Sequence, residues 1–98
     1  MKFRLVFTET AKGSLKELKH DKSRKKRYKA VGKTLKFLSE NPRHPSLQTH
    51  KYFSITGPGG EVIFEAYAEQ NTPAAYRVFF FYGPKERSIT IIAVTPHP

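Results

Sequence analysis

The chain has 98 residues, a net charge of +10 and no cysteine. This length predicts one domain with a single core, and the lack of cysteine excludes disulfide bonds and thiolate metal sites. No segment approaches the ~20 apolar residues that a membrane helix needs, and no secretory signal is recognisable. We therefore expect one domain over residues 1–98, located in the cytoplasm and without a membrane partner.

The positive charge is concentrated in the first half of the chain. Residues 1–51 hold 15 of the 18 Lys and Arg residues and 4 of the 8 Asp and Glu residues, whereas residues 52–98 are nearly neutral. A field of this size attracts polyanions, of which nucleic acid is the commonest. An acidic protein partner, an anionic membrane surface and a merely soluble basic surface are the alternatives.

The first elements predicted are a short strand and a helix. The segment "KFRLVF" alternates so that Phe3, Leu5 and Phe7 share one face. Thr8 or Thr10 then offers an N-cap for a helix. The apolar residues of that helix recur at i, i+4 and i+7 and form one stripe, namely Ala11, Leu15 and Leu18.

A second helix is predicted over residues 24–40, and it has two contrasting sides. One side is an apolar arc that must be buried, formed by Tyr28, Val31, Leu35 and Leu38. The nearly opposite side, here called the lysine face, is formed by Lys25, Lys29, Lys33 and Lys36. The helix is expected to end at Asn41–Pro42, because the residue before a proline disfavours helical geometry. The lysine face is therefore free to meet water or phosphate.

The second half predicts a long loop followed by three strands. Residues 41–60 show no periodicity and are predicted to be a loop, which carries Arg43, His44, His50, Lys51 and Tyr52. The segments "EVIFEAYAE", "AYRVFFFY" and "SITIIAV" are predicted strands separated by turns. The order β-α-α-β-β-β predicts an α+β fold, with two helices on one face of a mostly antiparallel sheet.

Arg77 interrupts the otherwise apolar strand "AYRVFFFY". Alternation places it on the same face as Phe79 and Phe81. One interpretation is an ion pair with Glu65 or Glu69 on the neighbouring strand. The other is a phosphate-binding arginine on an open sheet face, where exposed Phe79 and Phe81 rings would stack on unpaired bases.

The whole chain resembles the RelE/ParE toxin superfamily. The resemblance rests on "FTETAKGSLKEL" after the first strand, "LSENPRHPSLQTHKY" after the second helix, "AYRVFFFY" and the terminal "IIAVTPHP". It implies a RelE-like toxin of a type II toxin-antitoxin system, a bacterial endoribonuclease (mRNA interferase) that cleaves translated mRNA on the ribosome. It also implies inhibition by a cognate antitoxin protein. The free chain is expected to form a homodimer.

The resemblance also implies roles for individual residues. Arg77 would stabilise the scissile phosphate, and His97, clamped between Pro96 and Pro98, would transfer protons, since histidine titrates near neutral pH. Glu65 stands where the family commonly has a basic residue, and it would act as the general base or hold Arg77. The expected contacts to RNA or the ribosome are the lysine face, His50, Lys51, Tyr67 and Phe79.

Two other functions remain open from the sequence. The superfamily contains toxins that inhibit DNA gyrase, and Arg77 alone does not exclude that activity. A catalytically silent basic module that binds RNA or a protein is the third reading. No cofactor is expected. The spacing of His44, His50 and His97 matches no compact metal motif, so no metal site is predicted.

Overall fold

The computed structural model describes residues 2–70 and 72–96. It contains β1 (Arg4–Phe7), α1 (Glu9–His20), α2 (Lys25–Glu40), β2 (His50–Thr56), β3 (Val62–Tyr67), β4 (Tyr76–Tyr82) and β5 (Ser88–Pro96). Short 3₁₀ turns cover Lys22–Arg24 and Pro45–Leu47. Neither α1 nor α2, as described within these ranges, combines the length and the hydropathy that a membrane-crossing helix requires.

The five strands form one sheet in the order β1-β5-β4-β3-β2. β1 pairs parallel with β5, while the three other pairings are antiparallel. The two helices connect β1 to β2 and pack on one face of the sheet, α1 against β5 and α2 against β4. This confirms the predicted α+β fold with helices on one face of a mostly antiparallel sheet.

The predicted loop over residues 41–60 is wrong in its second half. Residues His50–Thr56 form β2, the edge strand that pairs with β3, so the sheet has one more strand than predicted. Six of the seven β2 residues are exposed and only Tyr52 is half-buried, so the strand carries no apolar alternation. An edge strand held by backbone hydrogen bonds to a single neighbour need not show the period that sequence analysis detects.

The main core lies between the helices and the sheet. Thr8 caps α1 by accepting a hydrogen bond from the Ala11 amide, so the first of the two predicted caps is correct. The predicted stripes of both helices face the sheet, and the lysine face points to solvent. The residues buried in this core include Leu18, Val31, Leu38, Val78, Phe80, Ile89 and Ile91.

The opposite face of the sheet carries a smaller apolar cluster without any helix. Ile63, Phe79 and Phe81 are buried there, and the Tyr52 ring packs edge-on against Phe79 at 4.9 Å between centroids. The expectation that Phe79 and Phe81 are exposed is therefore wrong, since only 8% and 5% of their surfaces are accessible. The cluster is covered by Tyr52 from β2, which contacts Phe79, and by Ile92 and Ala93 from β5.

Candidate functional site

Three adjacent strands bring an arginine, a glutamate and a histidine together on the helix-free face of the sheet. Arg77 on β4 donates through Nη1 to Oε2 of Glu65 on β3, at 2.7 Å. The other carboxylate oxygen of Glu65 lies 2.7 Å from Nε2 of His50 on β2. Glu65 and His50 are direct partners in the strand register, which points both side chains to the same face.

Tyr67 supports this ionic cluster from its side. The Arg77 guanidinium lies over the Tyr67 ring at 4.3 Å from the centroid, which is a cation–π contact. The His50 ring meets the same tyrosine edge-on at 5.6 Å. Arg77 and Tyr67 are register partners, so the stacking follows from the pairing of β3 with β4. The planar guanidinium is thereby held in one orientation.

The hydrogen bonds of the cluster engage both ring nitrogens of His50. Nδ1 of His50 lies 3.1 Å from the carbonyl oxygen of Gln48, while its Nε2 faces Glu65. Both neighbours are acceptors, so His50 makes both hydrogen bonds only when both ring nitrogens carry a proton. Nε of Arg77 is buried and has no hydrogen-bond partner in the described structure.

A depression of about 480 Å³ adjoins Arg77 and Tyr67. Its walls come from the β3–β4 hairpin and from Gln48. Gln48 and Ala74 both adopt left-handed backbone conformations there, with φ of 46° and 54°. Such strained residues persist only when the surrounding structure holds them, and they cluster at functional sites. The depression is the place where a ligand phosphate could reach Arg77.

One ion pair and one hydrogen bond from Arg27 fasten the hairpin that carries this depression to α2. Arg27 lies 3.5 Å from Glu69 and donates to the carbonyl of Pro73 at 3.2 Å. Glu69 also accepts a hydrogen bond from the Tyr76 amide at the start of β4. Arg27 is therefore engaged in positioning the strand of Arg77, in contrast to the exposed lysines of α2.

The end of β5 lies beside the cluster. Thr95 is the register partner of Arg77, and Pro96 is that of Tyr76. His97 falls outside the described residues. Among the residues described, no group of three His, Asp or Glu side chains could hold a metal ion.

The remaining predicted contact residues lie on other surfaces. Lys51 is the register partner of Phe64, so it points to the helix side of the sheet, opposite to His50. The lysine face lies on the outer side of α2, which is also across the sheet from Arg77. His44 stacks on Phe37 at 4.3 Å. Sequence reasoning missed Gln48 and the contact of His50 with Glu65, because β2 had no recognisable period.

Together these features define a small basic α+β protein with two helices on one sheet face and an arginine-centred ionic cluster on the other. A chain of the archaeal RelE-RelB complex from Pyrococcus horikoshii OT3 shares this fold, with 20% identity, TM-score 0.67 and coverage of 98% of this chain and 96% of that chain. The YoeB/ParE toxin from Agrobacterium tumefaciens matches with 9% identity, TM-score 0.69 and coverage of 97% and 99%. The YoeB dimer from Staphylococcus aureus matches with 16% identity, TM-score 0.65 and full coverage of both chains.

The chain therefore shares the fold of these RelE and YoeB structures, which is the fold that the sequence resemblance implied. The sequence matches no protein-family model and no curated protein.

Proposed function

We propose that this chain is the toxin of a type II toxin-antitoxin pair and that it cleaves translated mRNA on the ribosome. The observation that carries the proposal is the position of Arg77, which is oriented by Glu65 and Tyr67 beside an open depression. Among the residues described, Nη1 of Arg77 is bonded to Glu65 and Nε is buried, which leaves Nη2 to donate to a phosphate oxygen. The likeness of the fold to RelE and YoeB structures supports the same activity.

The reaction is attack of a ribose 2′-oxygen on the adjacent phosphorus. The bond from phosphorus to the 5′-oxygen breaks, which leaves a 2′,3′-cyclic phosphate and a 5′-hydroxyl. Arg77 stabilises the negative charge that develops on the phosphate oxygens. His97 is the first candidate for the proton transfers, which are acceptance of the 2′ proton and donation to the leaving 5′-oxygen. His50 is the second candidate, and it would have to release Gln48 or Glu65 to take part, because both of its ring nitrogens are engaged.

Glu65 has a positioning role in this scheme. It is only 3% exposed, and its two oxygens already contact Arg77 and His50. A buried carboxylate with both oxygens engaged does not reach a ribose hydroxyl without giving up one of these partners. Of the two roles predicted for Glu65, the geometry therefore favours holding Arg77 over acting as the general base.

The ribosome as the site of action is supported by the distribution of charge. Arg77 and the lysine face lie on opposite sides of the sheet, so an RNA strand would have to wrap around the protein to contact both. A large RNA assembly that surrounds the protein could contact both. Docking through lysines would be electrostatic and would carry no base specificity.

An antitoxin and a second copy of the chain are the proposed protein partners. The solved relatives are described as a RelE-RelB complex and as a YoeB dimer, and both descriptions are consistent with these partners. A second candidate function is inhibition of DNA gyrase. The ion pair of Arg77 with Glu65 keeps this candidate open. A guanidinium that is already paired with a carboxylate could serve only the stability of the fold and need not bind a phosphate.

The test is induced expression of the chain in a bacterial host, with growth and mapped mRNA ends as readouts. The variants are Arg77→Ala, His97→Ala and His50→Ala, and Arg4→Ala serves as the control because Arg4 is exposed on β1. Growth arrest with cuts inside codons, lost in Arg77→Ala and kept in Arg4→Ala, is the expected result. Growth arrest without mRNA cuts, accompanied by relaxed plasmid DNA, would contradict the nuclease proposal and support inhibition of DNA gyrase.

A further inference from the structure

A second and larger concavity lies on the helix side of the sheet. This groove, here called the aromatic groove, has a volume of about 800 Å³ and runs between the end of α2, the start of β1 and the start of β2. It is separate from the lysine face, and His50 is the one member of the Arg77 cluster that lines it. Its size is in the range of pockets that hold small organic ligands.

The floor of the aromatic groove consists of rings. Phe3 and Phe64 meet Tyr82 edge-on, with centroid distances of 6.0 Å and 5.2 Å. Tyr82 is 39% exposed, although most large apolar side chains of the helix side are buried. An accessible ring that is held in place by two others offers a stacking surface at little entropic cost.

The rim of the aromatic groove is basic. Arg43, His44 and Lys51 line it, and no Asp or Glu of the described chain does. Burial raises the pKa of the Tyr82 phenol, and the positive charge of Arg43 opposes that shift. The phenol is thus neutral near pH 7 and adds no negative charge to a site surrounded by cations.

The aromatic groove is connected to the depression beside Arg77. Gln48 lines both concavities. The next two β2 residues diverge from this point, since His50 points to Glu65 on one face and Lys51 points toward Phe64 on the other. A flexible polymer that crosses the sheet edge at residues 48–51 can therefore touch both sites.

We propose that the aromatic groove binds single-stranded RNA, with one unpaired base stacked on Tyr82 and the flanking phosphates on Arg43 and Lys51. Stacking rings beside cations are the usual means of binding unpaired nucleotides. The same strand continues over Gln48 toward Arg77. The choice of RNA as the polymer rests on the proposed function, whereas the groove and its chemistry do not.

An acidic protein segment is the competing occupant, and the geometry favours RNA. Carboxylates on a peptide would satisfy Arg43 and Lys51 but would leave the Tyr82 ring without a stacking partner. A base with its phosphate uses both features. The continuity through Gln48 also matches a polymer whose neighbouring phosphate must reach Arg77.

The first experiment measures binding to the purified full chain by fluorescence anisotropy. The probe is a labelled single-stranded RNA of mixed sequence with 2′-O-methyl groups, which cannot be cleaved because the attacking hydroxyl is blocked. Tyr82→Ala is expected to weaken binding by about tenfold, and Tyr82→Phe is expected to retain it, because stacking requires only the ring. Equal affinity of the wild type and Tyr82→Ala would overturn the proposal.

The second experiment tests the basic rim of the aromatic groove and does not depend on the rings of its floor. Arg43→Ala and Lys51→Ala should each lower the slope of log K against log salt by about 0.7, as expected for one lost phosphate contact. Lys16→Ala is the matched control, because Lys16 is exposed on α1 and removes the same charge. Slopes that fall equally in all three variants would show a diffuse charge effect and would contradict the proposal.

Two outcomes separate this inference from the proposed function. Groove-dependent binding of the methylated RNA in a chain that cleaves no mRNA would retain the inference and remove the nuclease. Suppose instead that Tyr82→Ala changes neither mRNA cleavage in the host nor RNA binding in solution. The proposed nuclease function would then be retained, and the RNA-binding role of the aromatic groove would be refuted. If a polyglutamate peptide, and not the RNA, shifts the amide NMR signals of Arg43 and Tyr82, the occupant is an acidic protein and the proposal fails.

Discussion

Arg77 and Glu65 face each other across β4 and β3, with Nη1 and Oε2 separated by 2.7 Å and Glu65 almost fully buried. This relationship joins the two interpretations that the sequence left open. The glutamate accounts for an arginine inside an apolar sheet, and it also orients the guanidinium toward the adjoining depression. The same contact can therefore serve both stability and phosphate binding.

The first prediction separates these two roles. Glu65→Gln should lower the free energy of unfolding by about 3 kcal/mol, because Arg77 then remains as an uncompensated, largely buried charge. The double variant Glu65→Leu with Arg77→Met should return to within about 1 kcal/mol of the wild type, because it removes both charges. Urea unfolding of all three proteins measures this. The double variant should not cleave mRNA, because it lacks Arg77. Cleavage by the double variant would refute the role of Arg77 in stabilising the phosphate.

The second prediction concerns the shape of the cation at position 77. Arg77→Lys keeps the charge but loses the planar fork and its stacking on Tyr67, so mRNA cleavage should fall by about 100-fold. The free energy of unfolding should change by only about 1 kcal/mol. Cleavage on purified ribosomes measures the effect, with Arg4→Lys as the control. Full activity of Arg77→Lys would mean that charge alone is sufficient.

The third prediction concerns the ring that covers Phe79. Tyr52→Ala should cost about 2 kcal/mol of stability, because it uncovers the apolar cluster of the helix-free face. Tyr52→Phe should be close to the wild type, since the contact with Phe79 is between rings. Chemical denaturation measures both variants. If Tyr52→Ala is as stable as the wild type, the burial of Phe79 does not depend on β2.

The fourth prediction concerns the lysine face and the ribosome. Replacing Lys29, Lys33 and Lys36 by Gln should weaken co-sedimentation with ribosomes and reduce its salt slope by about 2. The matched control replaces Lys12, Lys16 and Lys19 of α1, which are also exposed and carry the same total charge. Equal loss in both triple variants would show that binding follows net charge and not this face.

The fifth prediction concerns pH and the turn between the helices. Hydrogen bonds from the Ser23 hydroxyl and amide lower the pKa of Asp21 below its ordinary value of 3.8, and the charge of Arg24 adds to this. Because the folded-state pKa is lowered, the stabilisation is present above the ordinary value and is lost as pH falls through the lowered one.

Asp21→Asn keeps the cap but removes this titration. The stability difference between the wild type and Asp21→Asn, measured by urea unfolding, should therefore shrink between about pH 6 and about pH 2. A difference that stays constant over this range would contradict the assignment to Asp21.

The elements with strong periodicity were predictable from the sequence. α1, α2 and the three C-terminal strands follow from apolar spacing and caps, since these patterns record burial on one side of a regular element. β2 was not predictable, because it is an exposed edge strand whose pairing comes from backbone hydrogen bonds. The burial of Phe79 was mispredicted for the same reason, since its cover comes from β2.

The sequence by itself determined the α+β class, the two-sided character of α2 and the anomaly of an arginine in an apolar strand. These properties depend on residues close to one another in the chain, and local periodicity and side-chain chemistry specify them. Only the tertiary structure decided that Arg77 meets Glu65, that His50 joins them and that Lys51 turns to the other face. Such meetings depend on strand register, where a shift of one residue exchanges the two faces.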